Sequence, residues 1–175
     1  MTTAEDARTG LDHVAASPAD DGVLELVVRR PAVNERELLE EGELDVELGL
    51  VGDRWSRHGK RPNRKAQVTL MNARSAALVT GDTRESWALA GDQLYVDLDL
   101  SGDNLPPGTR LAIGSAVLEV TDMPHLGCGK FAVRFGADTR EFVNSEDGVA
   151  LNLRGINTRV VESGTVRRGD TVRKV

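Results

Sequence analysis

Residues 109–121 read TRLAIGSAVLEVT, and the fold is decided there. Leu111 and Ile113 alternate with Arg110 and Ala112, and Ala116, Leu118 and Val120 alternate with Val117, Glu119 and Thr121. A period of two is the spacing of a half-buried strand. Gly114-Ser115 separates the runs, and a two-residue link of this kind folds one strand back on the other. The stretch is expected to be a hairpin of residues 109–113 and 116–121. On either side the chain keeps producing short strand patterns. They lie at 23–30 (VLELVVRR), stopped by Pro31, and at 44–50 (LDVELGL), 67–70 (QVTL) and 94–100 (LYVDLDL), with three more at 158–161, 165–167 and 171–175.

Helical spacing is brief. Residues 34–41 suggest one turn capped by Asn34. Asn72 can cap a helix over 73–79 that Gly81 ends. Phe131, Phe135 and Phe142 set a helical rhythm over 130–143, and Gly136 divides it into two short helices. Gly-Asp pairs at 52, 81, 91, 102 and 169 are read as turn chemistry. Many short strands with scattered small helices predict a mainly β protein, a barrel that closes its own edges. A doubly wound sheet would need long helices between its strands. Residues 1–21, rich in Ala, Thr, Asp and Pro with little periodicity, are expected to be a disordered tail, and 22–175 a single barrel domain.

Composition narrows the function. Aromatic residues are 3 % of the chain, so the core must come from Val, Leu, Ile and Ala. The net charge of −6 argues against nucleic acid as a partner. No window reaches the length of a membrane span, and the first residues lack the apolar run of a signal peptide, so the expected location is cytoplasmic. One cysteine allows no internal disulfide and no cysteine-ligated zinc or iron–sulfur site.

That cysteine, Cys128, sits in LGCGKF (126–131), just before the expected helix. Unpaired N–H groups at a helix start favour a thiolate, and Lys130 and Arg134 would add to the effect. Such a thiolate can ligate a soft metal or carry sulfur. The competing reading is a buried, inert cysteine. A second candidate is the loop RWSRHGKRPNRK (54–65), in which six residues are Lys or Arg. Arg54, His58, Lys60 and Arg61 would serve as anion ligands there, unless the loop is a solvated counterweight to the acidic stretch 35–53. Arg154, beside Gly155, is either an anion clamp or the pin of a turn. His125, three residues before the cysteine, is either a base or a surface side chain.

Taken in order, these blocks resemble the molybdenum-cofactor sulfurase C-terminal (MOSC) domain family. Gly49-Leu50-Val51-Gly52-Asp53-Arg54 is similar to its early G-x-x-GD block, and Gln67 to Leu70 to its QVTL-like strand. Gly91-Asp92 and Pro107 to Gly114 resemble its central stretch. Leu153-Arg154-Gly155-Ile156 and Val160 to Gly164, with Gly169-Asp170, resemble its closing stretch. The resemblance covers roughly residues 23–175. It implies a mixed, pyruvate-kinase-barrel-like β-barrel, with Cys128 at the motif cysteine that holds molybdenum of a pterin cofactor or carries sulfur. It also implies cations (Arg54, His58, Lys60, Arg61, Lys130, Arg134 or Arg154) for the cofactor's phosphate, reduction of N-hydroxylated substrates, and a separate redox partner or sulfur-donor protein. Pyridoxal phosphate is not expected, because no lysine context for it is present. Two features depart from the pattern. Gly127-Cys128-Gly129 replaces Pro-Cys, and RHGKRPNRK follows the GD block where some relatives carry HGG. The alternative function is a non-catalytic barrel that binds a small anion.

Overall fold

The structure, a computed structural model, describes residues 3–175. The strands are β1 (Gly22–Arg29), β2 (Glu37–Leu39), β3 (Glu41–Asp45), β4 (Gly49–Leu50), β5 (Val68–Asn72), β6 (Leu94–Asp97), β7 (Arg110–Ile113), β8 (Ala116–Val120), β9 (Ile156–Glu162), β10 (Gly164–Arg167) and β11 (Thr171–Lys174). The expected hairpin is present as β7 and β8, with Ile113 opposite Ala116. Strand pairing runs β11-β7-β8-β9-β5-β6-β1, and β1 then pairs β11, so the barrel is closed. Among the described residues only β5 and β6 pair in parallel, which makes the barrel mixed. Closure removes the open edges of the sheet at the seam between β1 and β11. Beyond the seam, β1 also pairs β2, and β10, β3 and β4 form a small second sheet.

The first strand shows how the sequence serves two layers. Leu24 and Val27 both face the barrel interior, while Leu26 and Val28 pack in an outer cluster. Simple alternation cannot place residues three apart on one face. A register shift against β6 between Leu24 and Leu26 supplies the extra residue. The interior is filled by aliphatic side chains such as Leu44, Leu70, Leu94, Leu111 and Leu118, all fully buried.

The helices α1 (Ala4–Ala15), α2 (Ala73–Thr80), α3 (Arg84–Ala88), α4 (Gly129–Phe135), α5 (Ala137–Val143) and α6 (Glu146–Ala150) are short, as expected. Asn72 caps α2 through its side chain and Gly81 ends it at φ 117°. Gly136, at φ 97°, separates α4 from α5. Ala76 and Ala88 pack with Met71 and Tyr95, and Val14, Phe131, Val143 and Leu153 form a third cluster. None of the helices is long and apolar enough to cross a membrane among the described residues.

Three expectations are corrected. The segment expected as a disordered tail holds α1, whose Thr3 side chain accepts from the Asp6 amide; Met1 and Thr2 lie outside the described residues. Its anchors are tertiary: Val14 is buried, and Ser17 accepts a hydrogen bond from Asn72. Residues 34–41 form no helical turn. Asn34 takes a positive φ of 63°, and Glu37–Leu39 pair with β1 instead. The alternating run 44–50 is two strands, because the Asp45 carboxylate accepts from the Glu47 and Leu48 amides and turns the chain. The helices α3 and α6 had no counterpart in the sequence reading.

Candidate active site

Cys128 is the N-cap residue of α4, and its side chain is exposed. The loop before it is clamped by Asn144, whose Oδ1 accepts from the Gly127 amide at 2.8 Å and whose Nδ2 donates to the Gly127 carbonyl at 2.9 Å. A Cβ on Gly127 would press on Val143, whereas one on Gly129 would meet nothing within 4 Å. The two flanking glycines therefore differ: Gly127 packs, and Gly129 leaves the cysteine open. Desolvation pushes the Cys128 thiol up. The Phe131 and Lys130 amides and the nearby Arg154 charge outweigh it, and the net shift is downward.

The thiol lines a cavity of about 140 Å³ shared with Arg30, Arg36, Arg54, Lys130, Arg134 and Arg154. Two of these cations are neutralised. Arg30 grips Asp53 with Nε and Nη2, at 2.9 and 2.7 Å. Burial works against the Asp53 charge, but Arg30 holds the carboxyl below its usual range. Arg154, 8 % exposed, pairs with the fully buried Asp92, donates to the Ala90 carbonyl at 2.9 Å and lies 5.2 Å from the Phe131 ring centre. The Nε of Arg154 is buried without a hydrogen-bond partner among the described residues.

The other four, Arg36, Arg54, Lys130 and Arg134, pair with no carboxylate among the described residues. Arg36 donates to the Ala88 and Glu35 carbonyls, and Arg134 to the Leu89 carbonyl and to Asn34. Burial and the Arg134 and Arg30 guanidinia depress the pKa of Arg36, which is what crowded like charges do. An anion would relieve that crowding.

A second cavity, of about 340 Å³, shares Arg30 and Arg54 with the first and is walled by Trp55, Met123, Pro124 and Leu126. His125 lines it. Asn157 donates to the Met123 and Pro124 carbonyls, so its Oδ1 is left to accept from His125 Nδ1 at 3.3 Å. Burial, and then the Arg154 charge, push the His125 pKa down to about 4. The ring is therefore neutral at physiological pH, and its Nε2 stands 3.4 Å from Asp92.

Cys128, Lys130, Arg134, Arg154 and Arg54 thus converge, and His58 lines the larger cavity. Lys60 and Arg61 are exposed and line neither cavity. The loop's remaining cations are used locally: Arg57 donates to the Pro31 carbonyl, Arg64 pairs with Glu47, and Lys65 pairs with Asp122. Sequence reading passed over Arg30, Arg36, Asp53, Asp92 and Asn144 as site residues. Asp53 and Asp92 stand in Gly-Asp pairs read as turns, and only their complete burial tells them from Asp82 and Asp103, which are exposed.

The alkylation rate of Cys128 should rise with pH through a midpoint below that of an ordinary thiol, since its pKa is lowered and the thiolate is the reactive form. Replacing the ion pair by Asp92→Leu/Arg154→Met should move the midpoint upward. A wild-type midpoint at or above the free-thiol value, or no change in the variant, would refute the assignment of Arg154 to this thiol.

Comparison with known proteins bears on the same chain. The structure is similar to that of the YuaD protein from Bacillus subtilis, with a TM-score of 0.59, 19 % identity, and 86 % of this chain and 93 % of that chain covered. It is also similar to YiiM from Escherichia coli, with a TM-score of 0.59, 19 % identity, and 87 % and 69 % covered. At that identity the likeness is one of fold. No curated protein sequence matches the chain. The family model for the MOSC domain matches residues 57–173, a span that takes in Cys128 and Arg154. With this match and its closed mixed barrel, the chain belongs to the MOSC domain family.

Proposed function

We propose that this protein binds molybdenum cofactor, a phosphorylated pterin carrying molybdenum, with the Cys128 thiolate as metal ligand. The observation that carries this reading is the cavity itself. An exposed thiol of lowered pKa opens into a space where Arg36, Arg54, Lys130 and Arg134 have no carboxylate partner, in a chain of net charge −6. A soft thiolate suits molybdenum, and guanidinium groups suit a phosphate. The donor set fits the group that the family is associated with. The small cavity has room for only part of it, and the larger one adjoins it, with Arg30 and Arg54 lining both.

When bound, the cofactor supplies two-electron redox chemistry. The chain's own part is to favour the thiolate of Cys128, to neutralise negative charge and to offer the apolar wall of Trp55, Met123 and Leu126 to a flat substrate. The reaction class is reduction of an N–OH group to N–H and water, which consumes two electrons and two protons. A second reading is sulfur carriage, favoured by the exposure of the thiol. In that case the thiolate attacks the outer sulfur of a donor persulfide, forms Cys128–S–SH and releases the donor as a thiolate.

Molybdenum content separates the two. Wild type and Cys128→Ala are purified from a host that makes the cofactor, and both are assayed by elemental analysis. Near-stoichiometric metal in wild type, lost in the variant, is the expected result. Metal absent from both would sink the cofactor reading, and a mass increase of one sulfur on Cys128 would then support carriage.

A further inference from the structure

Reduction of an N–OH group consumes two protons, and one side chain is placed to bring one in. His125 lines the larger cavity beside Trp55, Met123 and Leu126. It also lines a third cavity, of about 150 Å³, with Thr121, Asp122 and Asn152. Gly102 and Asp122 on that lining are exposed, so the space meets solvent, and it has room for a few waters. His125 and Asn157 line both cavities and so stand between them. A substrate seated on the apolar wall displaces water from the larger cavity, while the third cavity stays wet behind His125.

The surroundings of His125 ask for more protons than a neutral ring carries. Asn157 gives its amide protons to the Met123 and Pro124 carbonyls, so its Oδ1 accepts from His125 Nδ1, at 3.3 Å. In the neutral ring Nε2 is then an acceptor. It faces a second acceptor, Asp92 Oδ1, at 3.4 Å, and both atoms are buried with no hydrogen-bond partner among the described residues. Only the imidazolium satisfies Asn157 and Asp92 together. The bond to Asn157 is long, so the Nδ1 proton can turn to a substrate oxygen instead.

We infer that His125 is a catalytic proton donor, which as an imidazolium gives its Nδ1 proton to the hydroxyl oxygen of an N–OH substrate in the larger cavity. The inference rests on the molybdenum-cofactor reading, from which the two electrons come. The N–O bond breaks, and the hydroxyl leaves as water with the His125 proton. The electron pair ends on nitrogen, which takes the second proton from solvent. The ring is left neutral with its remaining proton on Nε2, donating to Asp92, and Nδ1 is reprotonated from water in the third cavity. Electrostatics set the timing. In the free chain burial and the Arg154 charge, with Arg30, keep the ring neutral against the pull of Asp92 and Asn157. Arg54 and His58 also line the larger cavity, and Asp122, paired with Lys65, lines the third. Bound anion and added electrons offset these cations, so the ring takes up its proton when the site is loaded and reduced.

The chain is prepared from a cofactor-producing host and assayed with reduced methyl viologen as electron donor and benzamidoxime as the N–OH probe. His125→Gln should lower kcat by about a hundredfold, with KM, molybdenum content and melting temperature little changed. Wild-type kcat should fall as pH rises through the midpoint of the imidazolium, and that limb should be missing in the variant. In His125→Ala, added imidazole should restore turnover, which a histidine that only props the loop would not allow. Nitrogen-15 histidine NMR of the cofactor-free chain, assigned with His125→Gln, gives a readout apart from turnover. The ring should carry its proton on Nδ1, and inorganic phosphate should raise its midpoint by about one unit or more. Undiminished kcat in His125→Gln, no rescue by imidazole, a proton on Nε2 in the free chain, or a midpoint that phosphate does not move overturns the inference and leaves the cofactor reading standing. A wild-type chain without molybdenum removes that reading and the inference with it, so the two failures are told apart.

Discussion

Asp92→Ala is expected to lower the free energy of unfolding by about 3–5 kcal/mol, the usual cost of orphaning one member of a buried ion pair. Asp92 is fully buried and its Oδ2 holds Arg154, which is itself 8 % exposed. Without the carboxylate, a guanidinium stays inside the protein with only the Ala90 carbonyl and the Phe131 ring to compensate it. In a domain of this size such a loss lowers the melting temperature by roughly 10 °C. Removing both charges together, as in Asp92→Leu/Arg154→Met, should cost less than the two single changes combined, because neither partner is then stranded. Thermal denaturation of the singles and the double tests this. Additive losses would mean that the two side chains do not stabilise each other.

Gly155→Ala should be nearly as damaging, by about 3 kcal/mol or more, for two reasons that act together. Gly155 sits at φ 114°, where a side chain is strained, and an added Cβ would overlap the Leu70 carbonyl oxygen on β5. The chain cannot retreat, because Ile156 is already paired with Leu70 and the Gly155 amide donates to Asn152 at 2.9 Å. Gly169→Ala separates the two causes. Its φ is 90°, but a Cβ there meets nothing within 4 Å, so only the strain of about 1 kcal/mol remains. Denaturant melts of the two variants should differ by about 2 kcal/mol or more. Equal losses would show that the close approach to Leu70 is not what requires the glycine. Because Gly155 follows Arg154, the first variant should also disturb the acidity of Cys128.

Local patterns were legible wherever one element's own side chains settled its form. The alternation around Gly114-Ser115 specifies β7 and β8, Asn72 and Gly81 delimit α2, and Gly136 splits α4 from α5. Cys128 was legible as the first residue before a helix, whereas the partner of Arg154 was not: the structure pairs it with the buried Asp92. The misreadings share a cause. The segment 34–41 has a helical composition, but the free edge of β1 beyond its pairing with β11 claims Glu37–Leu39 as a strand. Near the N-terminus, α1 holds through Val14 and Ser17, whose partners are distant in sequence.

By itself, then, the sequence determined the class of the fold, a closed barrel of short strands, and the identity of the thiol. Hydrophobic period, turn glycines and caps act over a few neighbours and are written in order along the chain. Which cations surround that thiol was decided only by the tertiary structure. Barrel closure brings Arg30, Arg36, Arg54, Arg134 and Arg154 to one cavity, while Lys60 and Arg61, in the most basic stretch of the sequence, stay outside it. Burial, also a tertiary property, turned two of the Gly-Asp pairs into the acids that neutralise Arg30 and Arg154, while Arg36, Arg54, Lys130 and Arg134 have no carboxylate partner among the described residues.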